Sequence, residues 1–365
     1  MAAHAPNIPA AVFAMFQMMF AVIAPLLMTG AFAERTKFRA VILISVLWEL
    51  LVYYPVAHWV WGGGWLDQMG VLDFAGGIVI HTTAGVGSLV LAMQVGARRG
   101  FETNHGEFPP SNILLATLGA AFLWVGWFGF NAGSALSAGK GAVSAFVATH
   151  IGACTSGLVW LLHSARTDRP KLTMMLNGAI AGLAGVTPAA GYIAAWAAAA
   201  LGGLLGVATL FAASIIKPRW HIDDALDVSV VHGVPGIVGA LFIGFAASID
   251  FSPSGADGLF YGGGGHLLLV QAVAVIVVFL YAGLVTYAIG HVVGACVGGL
   301  RVSEEEEKLG LDISEHAELA SEFIGSRSRA DSLTHEGSLY VQHAGDVNTL
   351  GKPLLAAAAG GGVHS

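Results

Sequence analysis

The sequence predicts an all-α, polytopic membrane protein. Three observations carry that prediction. Of the 365 residues, 56% are hydrophobic and only 11% charged, whereas a soluble domain carries about 25% charged residues. Apolar runs of about 20 residues recur along the chain, each long enough to cross a hydrocarbon core of about 30 Å. The 50 glycines suit helices that pack in lipid through small residues, as in the pairs Gly178/Gly182, Gly290/Gly294 and Gly294/Gly298.

Nine spans follow in order. The first, 9–31, ends at the basic loop of Arg35, Lys37 and Arg39. The second, 38–61, carries Glu49 in its interior and closes on Trp61 in "HWVWGGGW". The third, 74–97, begins just after Asp73, carries His81 and stops at Arg98 and Arg99. The fourth, 112–135, ends in "LWVGWFGFNAGSA". The fifth, 142–163, follows Lys140 and is succeeded by Arg166, Arg169 and Lys171. The sixth, 172–187, and the seventh, 190–216, are separated by the proline-containing break "GVTPAAGY", which reads as an extracellular turn. Lys217 and Arg219 follow the seventh. The eighth, 228–248, carries His232, and the ninth, 265–300, is long enough to tilt or to extend past the membrane.

The loops orient these spans. One alternating set of loops holds ten Lys and Arg residues, and the other holds only Lys140. Excess Lys and Arg marks the cytoplasmic side, so the N-terminus is expected outside and the C-terminus inside a cell (plasma or inner) membrane. From Arg301 the chain becomes acidic and helix-favouring. The expected organisation is a membrane domain over 1–300, a cytoplasmic segment over 301–325 and a disordered, serine-bearing tail over 326–365.

Several function classes are disfavoured. A net charge of -7 without a basic cluster argues against nucleic-acid binding. Cys154 and Cys296 lie in apolar spans and suggest neither a disulfide framework nor a zinc site, and no cofactor is expected. The N-terminus lacks the basic region of a signal peptide.

Two histidines stand out. Asp73 precedes His81 by eight residues, and Asp224 precedes His232 by eight. If each Asp caps a helix start, each His lies about 12 Å along its helix. The first copy enters from outside and the second from inside. The two depths sum to about 24 Å of a core about 30 Å thick, which puts both imidazoles near the midplane. Opposed copies of one motif are what inverted-topology repeats produce, with the site at their midplane interface. A lone intramembrane histidine can equally bond a neighbouring helix; matched spacing and opposed topology favour the functional reading. Burial disfavours charged imidazole, so an adjacent pair holds at most one shared proton. Such a pair lines a narrow pore or passes a proton.

Aromatic residues cluster nearby: Trp61, then Phe16 and Phe20 one helical turn apart, then Trp127 and Phe130 ahead of Ser134. A cation can be held over aromatic faces and by a hydroxyl oxygen. The same residues also suit an interfacial belt. Glu49 is costly within a span, and the sequence names no partner for it.

These residues resemble the ammonium transporters of the Amt/Mep/Rh superfamily, and the Amt branch most. The resemblance rests on "GAFAERTKFRAV", "HWVWGGGWL", "LDFAGGIVIH", "WFGFNAGSA", "NGAIAGLAGVTPAAGY", "DVSVVHGVPGIVG" and "GLRVSEEEEKLGLDISEH", in family order over roughly residues 12–318. It implies the ammonium-transporter fold with inverted-topology repeats, here with about nine helices instead of eleven, the first two being absent from this chain. It implies that His81 and His232 are twin pore histidines and that Phe20 and Phe130 form a stacked gate. Trp61, Ser134 and Phe20 would recruit the ammonium cation, with Asp73 and Asp224 as supporting acidic residues and Thr187 in the turn. Ammonium or ammonia would be the substrate, with methylammonium as an analogue. A homotrimer in the lipid bilayer is implied, as is a PII-type regulatory protein at the cytoplasmic face in a prokaryotic host.

The implied mechanism is deprotonation of recruited ammonium and conduction of ammonia past the histidines, with or without separate proton transfer. Four other readings compete: an ammonium sensor, a channel for another small neutral gas, a non-conducting truncated homologue, and a membrane oxidoreductase with haem held by paired histidines. Haem would need imidazoles on facing helices with room for a porphyrin between them.

Overall fold

The computed structural model describes residues 5–252 and 255–318. Among the described residues the chain is helical, with a single antiparallel bridge, Thr36 to Arg301. Helix α1 (Ala10–Thr29) follows Pro9. Helix α2 (Phe38–Gln68) contains a wide π turn at Glu49–Tyr53. That turn has a local cause. Pro55 has no N–H, so it cannot satisfy the carbonyl four residues back. That carbonyl belongs to Leu51, and the Tyr281 hydroxyl donates to it instead at 2.7 Å.

Helix α3 (Gly77–Val95) opens with a π turn over Gly77–Thr82. Helices α4 (Ile113–Gly133), α5 (Lys140–Thr167), α6 (Leu172–Val186) and α7 (Ala195–Ile216) follow. Helix α8 (Ser229–Ala246) opens with a second π turn over Ser229–Gly233, just ahead of Pro235. Helix α9 (His266–Val297) has 32 residues, about 48 Å of helix, and stops at Gly298 in the left-handed conformation that closes helices.

Eight of these helices are long and apolar enough to cross a membrane. The predicted sixth span, 172–187, is the exception. Helix α6 has 15 residues, about 22 Å, which falls short of a hydrocarbon core. Its end is enclosed by protein instead. A methyl group placed on Gly182 would lie 2.5 Å from the Gly152 carbonyl oxygen of α5, so small residues let α5 and α6 meet backbone to backbone. The predicted surface turn after α6 is also enclosed. Thr187, Ala189 and Ala190 are buried, and the Pro188 carbonyl accepts from the Phe74 N–H at 3.0 Å.

The layering follows from burial. Helices α3 and α8 are central, with 78% and 67% of their apolar windows buried, whereas α4 has 11%. Leu114, Leu115, Phe122 and Val125 of α4 are exposed, an outer surface suited to hydrocarbon.

One end of the bundle is tied by charge. Arg98 donates from Nε and Nη2 to Asp223 at 2.8 and 3.0 Å and pairs with Glu34 at 2.7 Å. Arg35 is buried against the same carboxylate at 3.9 Å. Burial pushes the Arg35 guanidinium down to about 10, with Asp223 opposing. Burial alone would raise Asp223, but the bonds from Arg98 outweigh it and hold the carboxyl below its usual 3.8. The chain after α9 docks here: the Val302 N–H donates to the Arg35 carbonyl at 3.0 Å, and Arg301 pairs with Glu307 at 2.7 Å.

Helix α10 (Glu304–Leu309) starts with a capping box of Ser303 and Glu306. Met1–Leu311 forms one compact unit and Asp312–Ser365 a second, described only as far as residue 318. The predicted tail, 326–365, and residues 319–325 lie outside the described residues.

Candidate functional site: a paired-histidine centre behind an aromatic cavity

The two histidines are delivered by equivalent helix starts. Asp73 turns its carboxylate onto the head of α3. Its Oδ1 accepts from the N–H groups of Gly76 and Gly77 at 2.9 and 2.7 Å, and its Oδ2 from Ile78 and Val79 at 2.8 and 3.0 Å. Gly76 is needed for this turn, because its φ of +111° is closed to side chains. Asp224 does the same for α8. It accepts from the Val228 N–H at 2.9 Å, and from both the N–H and the hydroxyl of Ser229 at 2.6 Å. Both aspartates therefore act as the caps that the spacing predicts.

Each His sits in a π turn and so lies shallower along its helix than the expected depth of about 12 Å. A π turn bonds i to i+5 and advances less per residue than the α-helical rise used to place the rings. Thr82 and Thr83 hydroxyls donate to carbonyls of that turn, Gly77 and Val79, at 2.8 and 2.7 Å.

The two helices meet at a glycine pair, Gly85 just past the first π turn and Gly233 at the end of the second. A methyl group on Gly85 would lie 2.1 Å from the Gly233 Cα, so only bare backbone fits. Beside that contact, the Nδ1 atoms of His81 and His232 are 3.3 Å apart, with ring centroids at 5.2 Å and planes inclined by 21°. Both rings are buried. A bond between two Nδ1 atoms requires one to donate and the other to accept. In a neutral pair one Nε2 then accepts and the other donates. His81 Nε2 has no hydrogen-bond partner among the described residues. Imidazoles in contact leave no room for a porphyrin between them, which removes the haem reading.

Trp127 completes this centre. Its ring lies beside His81 at 5.3 Å and beside His232 at 6.3 Å, inclined by only 21° and 7°. Thr187 holds it there, accepting from the indole N–H at 2.8 Å while donating to the Leu183 carbonyl at 2.7 Å. The sequence places Trp127 among the aromatic candidates but gives no sign that it would lie against the histidines. The one available signal is its position three residues before Phe130.

Phe130 lies 6.1 Å from His81, Phe20 lies 4.6 Å from Phe130, and Trp61 lies 5.8 Å from Phe20. The aromatic series thus leads from the histidines outward. Phe20 and Phe130, expected to stack, meet at 61° instead. Edge-to-face contact places the positive ring edge on the negative face of its neighbour.

Beyond Phe20 lies a cavity of about 670 Å³ lined by Phe16, Phe20, Trp61, Asp73 and Ser134, among others. The Trp61 indole N–H donates to the Asp73 carbonyl at 2.8 Å, which fixes the ring. The Ser134 hydroxyl donates to the Phe130 carbonyl at 2.8 Å, which leaves its oxygen lone pairs free to accept. The predicted site residues thus fall into two linked groups: Phe20, Trp61, Asp73 and Ser134 at the cavity, and His81, His232 and Phe130 deeper. Asp224 sits away from both, next to Asp223 of the charged end. Glu49 finds a partner in the Tyr54 hydroxyl at 3.5 Å, apart from the site. No cluster of three or more metal-ligating side chains occurs among the described residues.

The chain has known relatives. The Ammonium Transporter Family model matches residues 2–321. The chain belongs to the ammonium transporter family. It is 55% identical over 318 residues to Ammonium transporter 1 of Dictyostelium discoideum, covering 87% of this chain and 68% of that one. It is 42% identical to the Ammonium transporter of Bacillus subtilis, covering 87% and 77% of the two chains.

Among solved structures, Saccharomyces cerevisiae Mep2 superimposes with a TM-score of 0.76 at 31% identity, over 83% of this chain and 69% of that one. A protein described as a sensor Amt protein gives 0.75 at 31% identity, over 82% and 75%. As a member of this family with multiple apolar helices, the chain is a multi-pass membrane protein.

Proposed function

We propose that this protein is an ammonium transporter that recruits the cation at the aromatic cavity, removes its proton and conducts ammonia past His81 and His232. The observation that carries this reading is the buried imidazole pair, 3.3 Å apart at Nδ1 and separated from the cavity by Phe20 and Phe130. Taking a bare cation across such a region costs tens of kcal/mol in an idealised apolar medium. Aromatic faces return only about 0.5–2 kcal/mol each. Neutral ammonia avoids the cost, and potassium, which has no proton to lose, cannot follow.

In this reading Trp61 and Phe20 present ring faces, and Ser134 accepts a hydrogen bond from the cation. Asp73 supports the site by holding the head of α3, and Phe20 and Phe130 shut water out. The imidazole pair offers one acceptor and one donor nitrogen to the passing molecule, and the proton removed from ammonium either returns to water in the cavity or passes along the pair as a separate route for charge. Family resemblance adds a homotrimer, with the N-terminus outside and the C-terminus cytoplasmic. It also adds a PII-type partner on the cytoplasmic face in a prokaryotic host. Ammonium sensing is the second reading, favoured by the similarity to a sensor Amt protein.

The test is flux through proteoliposomes carrying the full chain. Labelled methylammonium uptake reads transport, and the transient current after an ammonium pulse reads charge. Uptake with current means net charge crosses; uptake without current means electroneutral conduction. His81→Ala and His232→Ala should each lower selective uptake at least tenfold. Wild-type selectivity in both variants would remove the histidines from the mechanism. Saturable ammonium binding without uptake in the unmodified chain would favour the sensor.

A further inference from the structure

Lys140 is the only Lys or Arg in one alternating set of loops, against ten in the other. It lines the same cavity as Trp61, Phe20 and Ser134. A sphere of 670 Å³ is about 11 Å across, close to the Debye length of about 8–10 Å at physiological ionic strength. An ammonium ion in the cavity is therefore within range of the Lys140 charge.

This charge gains nothing from its own helix or from an ion pair. Lys140 is the first residue of the 28-residue helix α5, where the helix dipole is positive and a cation is unfavourable. It also makes no ion pair among the described residues. The carboxylates facing the cavity are Asp73 and Asp250. Asp73 keeps its charge but also holds the head of α3 through four backbone N–H groups, so Asp250 is the lining carboxylate whose charge can be removed without disturbing a helix start.

We propose that Lys140 is a specificity-determining residue whose positive charge weakens capture of the ammonium cation and favours loss of its proton. The proposal rests on the transport reading above. The physical basis is that a like charge disfavours the charged form of a titrating group. Bound ammonium feels the repulsion and ammonia does not. The repulsion opposing capture is therefore the same quantity that promotes deprotonation. Asp250 acts in the opposite sense, so the two residues balance how tightly the mouth holds a cation against how readily it releases a proton.

The experiment is methylammonium uptake in proteoliposomes by the full chain, with Lys140→Gln, Lys140→Glu and Asp250→Asn, at low ionic strength and at about 0.5 M salt. The expected result is a KM lowered about two- to fivefold in Lys140→Gln and further in Lys140→Glu, with kcat falling alongside, and a raised KM in Asp250→Asn. High salt should shrink these differences. A KM that does not follow the charge at position 140 overturns the proposal, as does a kcat that holds or rises while KM falls. No uptake by the unmodified chain overturns the transport reading, and this proposal with it.

Discussion

Thr187 illustrates how much rests on single hydroxyls in this interior. It accepts from Trp127 and donates to Leu183, and Trp127 in turn flanks both imidazoles. Thr187→Val keeps the shape and leaves a buried indole N–H unpaired, at a cost of about 1–3 kcal/mol. The expected outcome is a lower melting temperature in detergent together with reduced methylammonium uptake, while Thr187→Ser stays near wild type on both. Equal melting for Val and wild type would show that the Trp127 bond does not matter. Asp73 is a second case. An asparagine there would turn an amide N–H₂ toward backbone donors that now share a carboxylate. Asp73→Asn should destabilise by about 2–4 kcal/mol, since bonds to charged groups contribute about 1.5–3 kcal/mol each. A denaturation series would show it.

At the scale of elements, the decisive contact is between α3, just past its π turn, and the π turn that opens α8. Its two glycines are not equivalent. A methyl group on Gly85 would lie 2.1 Å from the Gly233 Cα, whereas one on Gly233 would lie 3.1 Å from the Gly85 Cα. Gly85→Ala must push two backbones apart and separate the imidazoles, and Gly233→Ala needs a shift of only a few tenths of an ångström. Overpacking costs about 1–3 kcal/mol, and here it falls on the histidine spacing. Gly85→Ala should lose ammonium-over-potassium selectivity that Gly233→Ala largely retains. Equal behaviour of the two variants in paired flux assays would contradict this asymmetry. The spacing of Asp73 to His81 and of Asp224 to His232 is visible in the chain. The glycine contact is not, because it joins residues 148 positions apart.

For the whole molecule, the charged end joins the loop after α1, the loop after α3, the segment before α8 and the chain after α9. Asp223 is its hub. Asp223→Asn leaves buried Arg35 without its carboxylate and Arg98 with only the exposed Glu34, and breaking a buried pair this way costs about 3–5 kcal/mol. The sign with pH follows from the depressed Asp223 carboxyl. Its contribution is fully present above the ordinary value of 3.8 and is lost as pH falls below it. Acid melting curves of wild type and Asp223→Asn should therefore begin to converge below about pH 3.8 and meet once pH is below the depressed folded-state value. A constant gap between them down to lower pH would show that Asp223 acts through packing rather than charge.

The sequence by itself determined the membrane class, the order of the helices, the paired Asp–His motifs and the residues of the aromatic cavity. These are properties of composition and of spacing along the chain, and lipid imposes them locally: apolar length, caps at helix starts and small residues where helices meet. Tertiary structure decided the rest. Helix α6 can be short because α5 encloses it, and the turn at Thr187 is buried because α3 and Pro188 close over it. Phe20 and Phe130 meet edge-on, Trp127 lies flat against the histidines, and Lys140 faces the cavity. Each of these depends on how far apart two distant backbones come to rest. Steric fit among many helices sets that distance, and no local pattern in the chain encodes it.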